Sequence, residues 1–453
     1  MNTLKTIAAS AGVYCAGAVL GLSSALAAIP IQHWTQPSGA QVYLVESPSI
    51  PMLDVELDFD AGSRRDPAKQ AGLADATALM AGLGVAAKGG QPALDENQLG
   101  QAWADLGASF GASAGADRMS FRLRTLTEPD LLAKSVALAS RQLGDPSFPE
   151  AVWRRERERL SAALREADTR PGTIAGRAFS QAVYGNHPYG YDTTPASLQR
   201  IGVADMRARY RDFILPCRAK VSLVGAVNRA QADQLVTQLL ARLPQGASCA
   251  PLPPVPEVAP LTAAKEERIP FDAAQAQVLV GQPGYKRTDP DFFALLVGNH
   301  ILGGGGFTSR LMHQVREQRG LTYGVGSSFS PGLHAGAFTV GLQTRPDQAD
   351  AALGLTRQIV ADFVAKGPTE AELKAAKDNL IGGFPLRLDS NGKLLDNVAN
   401  IAWNGLPLDY LEHWTDKVQA VTADDVRKAF ARVLQPERMV TVVLGGKPAA
   451  PAK

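Results

Sequence analysis

Between Gly303 and Tyr323 the chain reads GGGGFTSRLMHQVREQRGLTY, and two of these residues have the chemistry of a site: Arg316 and Tyr323. An arginine fork can hold a carbonyl oxygen, and a phenol can donate to an oxyanion as charge develops on it. The competing reading is structural: an amphipathic arginine on a helix edge and a tyrosine on a half-buried strand. The neighbours must position the pair. Gly303, Gly304, Gly305 and Gly306 predict a loop that bends sharply or lets another backbone come close. Thr308 and Ser309 offer an N-cap, Leu311, Met312 and Val315 recur at helical spacing, and Gly320 supplies the stop. Arg316 falls one turn beyond Met312. From Leu321 to Phe329 the residues alternate as in a strand, which Tyr323 opens.

Other chemistry is sparse. The six histidines are His33, His187, His300, His313, His334 and His413. No two are three or four apart, so no helix presents an imidazole pair to a metal. His187 lies in His-Pro-Tyr-Gly, a turn that predicts a structural role. The glycine run at 303 lacks the Gly-Lys-Ser/Thr that would make it a phosphate loop.

Composition bounds the answer further. The chain has 453 residues, 45% hydrophobic and 20% charged, with a formal net charge of +2. That length predicts more than one domain, and the charge balance gives no argument for nucleic acid or a membrane surface. Residues 1–27 read as a secretory signal peptide: Lys5, an apolar run, then Ala25-Leu26-Ala27. The expected location is therefore periplasmic or secreted, with no membrane attachment after cleavage. Export would leave Cys217 and Cys249 in an oxidising compartment, where a bridge is permitted but not required.

Five prolines between Pro251 and Pro260 mark an extended linker at 249–265. It separates an N-terminal domain, 28–248, from a C-terminal domain, 266–447. The order of residues repeats across it: Asp205, Arg207, Pro216, Arg218 and Gly225 align without gaps on Asp425, Arg427, Pro436, Arg438 and Gly445. Strand and helix patterns alternate in both halves. The fold class is α+β, two homologous mixed repeats joined by a Pro-rich linker.

Four phrases carry a resemblance: Gly72-Leu73-Ala74, His187-Pro188-Tyr189-Gly190, Leu302-Gly303-Gly304-Gly305, and Arg316 followed by Gly320-Leu321-Thr322-Tyr323. With the repeat, the chain resembles the pitrilysin/insulinase-type metallopeptidases, nearest in style to processing-peptidase-like bacterial members, over nearly all of 29–447. In that family the helix after Gly-Leu-Ala carries His-x-x-Glu-His, which binds zinc and activates water. Here the motif positions hold Asp75, Ala76, Thr77, Ala78 and Leu79. The position of the third ligand falls on Ala162 or Ala163, with Glu166 nearby. The resemblance thus implies no zinc in this chain.

Two-chain peptidases of this kind divide the labour, and the chain without zinc supplies an Arg and a Tyr seven residues apart. The resemblance implies that role for Arg316 and Tyr323, and places Gly303 to Gly306 near the substrate. It implies a zinc-bearing paralogous partner, peptide substrates held extended at a strand edge, and inertness alone. The alternatives are a catalytically inactive structural or peptide-binding protein and, more remotely, a stand-alone peptidase with an unfamiliar site.

Overall fold

The computed structural model describes residues 29–246 and 249–445, so the signal peptide read over 1–27 lies outside the described residues. The first sheet contains β1 (Gln32–Thr35), β2 (Gln41–Glu46), β3 (Met52–Phe59), β4 (Ser109–Ala114), β5 (Met119–Leu126) and β6 (Lys220–Gly225), in the order β1-β2-β6-β3-β5-β4. The second contains β7 (Lys265–Ile269), β8 (Ala276–Pro283), β9 (Val325–Phe329), β10 (Ala337–Thr344) and β11 (Val440–Leu444), in the order β7-β11-β8-β10-β9. In each sheet the last strand of the half inserts between earlier ones. β6 runs parallel to β2 and antiparallel to β3, as β11 does to β7 and β8.

The repeat seen in the letters is a repeat of elements. The helix Val203–Phe213, the turn Pro216–Arg218 and β6 correspond to Ala423–Val433, Pro436–Arg438 and β11. A rule of alternation explains the strands. Leu53, Val55, Leu57 and Phe59 of β3 face a core that includes Phe121, Leu123, Val221 and Leu223.

The other sheet faces show what pattern alone does not. The helix Pro171–Tyr184 of the first half packs on β8 and β11 of the second. It buries Ala175, Phe179 and Val183 against Ala337, Val440, Val442 and Leu444. Reciprocally, the helix Asn391–Asn404 of the second half lies on β2, β3 and β6 of the first. The two exchanges differ in chemistry. Beneath Asn391–Asn404, the buried Asp54, Glu56 and Asp58 of β3 stand opposite Arg124, Arg122 and Ser120 of β5. Arg118 Nη1 donates to Asp58 at 2.7 Å, and Lys220 Nζ donates to the helix-end carbonyl of Ala402 at 2.7 Å. The Trp403 ring lies near both cations. Burial pushes the Asp58 carboxyl up to about 7, against the pull of Arg118.

The linker is fastened. Cys217 and Cys249 form a disulfide that ties its start to the turn before β6. In the middle, His187 Nε2 donates to the Pro256 carbonyl at 2.9 Å, and Glu257 pairs with Lys286 at 2.7 Å and with His334 at 3.2 Å. The bridge closes a loop of sequence separation 32, and replacing both cysteines by alanine is expected to cost roughly 2–4 kcal/mol in urea denaturation.

His187 makes a second prediction. Its Nδ1 accepts from the Tyr189 N–H at 3.1 Å while Nε2 donates, so the ring is neutral with one tautomer. Burial lowers its affinity for a proton, helped by the neighbouring His334. A histidine whose folded pKa is depressed contributes stability above its unfolded value of about 6.5, and that contribution is lost as pH falls below it. Stability should therefore drop between about pH 7 and 5, and His187→Gln should flatten that part of the profile. An unchanged slope in the variant assigns the pH dependence elsewhere.

Candidate functional site

The segment that holds Arg316 and Tyr323 is wound differently from its sequence expectation. The helix Phe292–Asn299 continues as a wide π-helical turn, His300–Gly304, so Gly303 and Gly304 are helical rather than loop. The close approach is real. A Cβ on Gly303 would sit 2.4 Å from the Ser327 nitrogen of β9, and one on Gly305 would sit 2.6 Å from the His300 carbonyl. Only Gly306 has a positive φ, at 62°. The hydroxyls of Thr308 and Ser309 do not cap the following helix; they donate back to the carbonyls of Gly305 and Gly306. That helix is π-wound over Met312–Glu317, with Gly320 at φ 62° ending it as its type requires. π-turns of this kind concentrate at functional sites.

Met312 and Val315 are buried, and Arg316, one turn on, is half-buried. Its guanidinium stacks on Phe307, 4.6 Å from the ring centroid, and Phe307 itself is 63% exposed. Tyr323 does not open the strand. β9 begins at Val325, and Tyr323 precedes it in a short irregular segment held by Thr322, whose hydroxyl donates to the Gly324 and Gln343 carbonyls. The reason is that the Thr322 side chain takes the place of ladder pairing there. Tyr323 is 87% exposed. Among the described residues, neither Arg316 nor Tyr323 has an ion pair or a side-chain hydrogen bond.

The zinc-motif positions lie on the helix Leu73–Ala81 of the other half. Gly72 enters it at φ 96°, and Asp66 accepts from the Gly72 and Ala74 N–H groups while pairing with Arg209 at 3.0 Å. The helix is thus built and anchored, but its site residues cannot coordinate. Asp75 is exposed, Ala78 is buried and Leu79 is half-buried; a single carboxylate beside two hydrocarbon side chains does not fit zinc. Ala162 and Ala163 lie on the helix Glu150–Ala167, where Glu166 is bound by Arg170 at 2.5 Å. Among the described residues, no group of three or more His, Cys, Asp or Glu is placed to hold a metal.

Two concavities escaped sequence reasoning. A trough of about 700 Å³ runs the length of β4, the outer strand of the first sheet, with Glu56, Arg118 and Arg122 on its side. β4 reads SFGASA, without the charges or proline that usually blunt an edge. Small residues at Ser109, Gly111 and Ser113 were the available signal. The strings Gly107-Ala108-Ser109-Phe110-Gly111 and Gly111-to-Gly115 also spell G-x-S-x-G. They lie along β4 into a hairpin, not in the strand-to-helix elbow that makes such a serine a nucleophile. Next to the trough, a cavity of about 450 Å³ opens between the halves, lined by Tyr184, Tyr189, Asn400, Trp403 and Asn404 with the Ser330–Gly332 loop.

The fold has relatives among known proteins. Residues 41–196 match the family described as Insulinase (Peptidase family M16), and residues 200–380 match the Peptidase M16 inactive domain. A solved M16 inactive domain from Pseudomonas fluorescens is 33% identical, with a TM-score of 0.86 over 93% of this chain and 100% of that one. The non-peptidase homolog YmxG of Helicobacter pylori is 27% identical, covering 90% of this chain and 92% of that protein. An uncharacterized zinc protease of Mycobacterium leprae, ML0855, is 26% identical over 91% of each. No helix among the described residues is long and apolar enough to cross a membrane.

Proposed function

The chain belongs to the M16 insulinase family and lacks that family's zinc-binding residues, and from this premise we propose that it is the non-zinc subunit of an exported heterodimeric peptidase. The observation that carries the reading is the pair itself. Tyr323 stands 87% exposed and, among the described residues, without a hydrogen bond, and Arg316 is held by an aromatic face rather than a carboxylate. Neither arrangement supports the fold, whereas most arginines here are spent on ion pairs. Both side chains remain free to hold a peptide carbonyl and donate to its oxyanion in a site completed by a zinc-bearing partner. The substrate is a peptide or unfolded segment, added as an extended strand to β4.

Zinc content and peptidase activity, measured on this chain alone and on the chain co-expressed with a paralogue bearing His-x-x-Glu-His, test the proposal. Activity and zinc are expected only in the pair. A pair that forms without hydrolysis, or no pair at all, favours the second reading, a catalytically inactive peptide-binding homologue, which the open β4 trough supports independently. Stoichiometric zinc in the lone chain overturns the account of residues 75–79.

A further inference from the structure

We infer that the cavity between the halves is a subsite for one uncharged polar side chain, an amide or a phenol, of the peptide that lies along β4. The inference rests on the reading that β4 takes an extended peptide. Continuity carries the first step. β4 ends at Ala114, and the next residue, Gly115, lines both the trough and the cavity, as does Arg118. A strand added to β4 and continued past its end enters the cavity. In antiparallel addition the residues that enter are those on the N-terminal side of the bound segment.

The cavity's own chemistry selects the side chain. Its charges are already committed. Asp117 accepts from the Tyr189 hydroxyl at 2.6 Å and the Leu333 N–H at 2.9 Å, and pairs with Arg64 at 3.0 Å. Arg118 is held by Asp58. What remains unused is neutral. The Trp403 ring supplies an aromatic wall, its Nε1 being sealed from solvent and without a partner among the described residues. The Asn400 amide makes no side-chain hydrogen bond among the described residues, and Asn404 donates its NH2 to the Asn400 carbonyl, which leaves its own oxygen free. The Tyr184 hydroxyl accepts from the Ala337 N–H and keeps its proton to give. Amide and phenol groups match these donors and acceptors, and the aromatic walls accept their flat faces. A charged side chain would lose its water without finding an uncommitted opposite charge. A volume of about 450 Å³ admits one large residue with its backbone.

The test uses the full mature chain and acetylated decapeptides with a Val/Thr host and one variable residue moved along the peptide, read by fluorescence anisotropy. At one position, Gln and Tyr are expected to bind at least tenfold tighter than Glu or Lys. Asn400→Leu should reduce that preference about tenfold, and Asn404→Ala should reduce it in the same direction, while peptides with Gly at that position bind both variants as they bind the parent. Peptides that bind with no positional preference, or a preference untouched in both folded variants, overturn the subsite and leave β4 binding standing. If no peptide of the series binds, the β4 reading and the subsite fall together.

Discussion

Arg316→Ala in the proposed pair should lower peptide turnover by roughly 10²–10³, and Tyr323→Phe should do nearly the same, with assembly unchanged and little loss of stability. The magnitude is that of losing one oriented donor to a developing oxyanion, about 2.7–4 kcal/mol. The small effect on stability follows from the structure. Among the described residues the Tyr323 hydroxyl bonds nothing, and Arg316 loses its contact with an exposed Phe307. An exposed cation–π contact is worth about 0.5–1 kcal/mol, which bounds the effect on folding. The decisive comparison is turnover against assembly, measured on the same preparations. Equal turnover in parent and both variants returns the pair to the surface. A loss of assembly instead would make them interface residues.

Phe179→Ala is expected to destabilise the whole chain by roughly 3–5 kcal/mol, the usual cost of emptying a buried phenylalanine site. Phe179 is 6% exposed on the helix Pro171–Tyr184, which belongs to the first half but covers the second half's sheet. Its ring fits over Gly281 of β8, where an added Cβ would lie 2.8 Å from Phe179 Cζ. Because a helix of the first half covers the sheet of the second, both halves should lose stability in a single urea transition. A loss below about 1 kcal/mol, or two separated transitions, would show that the exchange does not couple them.

The letters predicted the repeat and the strands well, because periodicity and proline placement are local facts. The matched run from Asp205 to Gly225 and Asp425 to Gly445 is a helix, a turn and a strand in both halves. They were misleading in the glycine run. Four consecutive glycines read as a loop, yet Gly303 and Gly304 finish a π-turn, where the approach of Ser327 to the first and Asn299 to the second leaves no room for a side chain. The alternation likewise suggested a strand opening at Tyr323, two residues before Val325, because Thr322 binds carbonyls that ladder pairing would otherwise engage.

The sequence by itself determined the family likeness, the loss of His-x-x-Glu-His at residues 75–79, and the spacing of Arg316 and Tyr323. These depend on residue type and order alone. Only the tertiary structure decided which helix covers which sheet, why Asp54, Glu56 and Asp58 are buried beneath a helix of the other half, and that β4 and the joint cavity form one continuous surface. Each of those joins residues distant in the chain, and burial of a charged face depends on what lands on it, which no local period encodes.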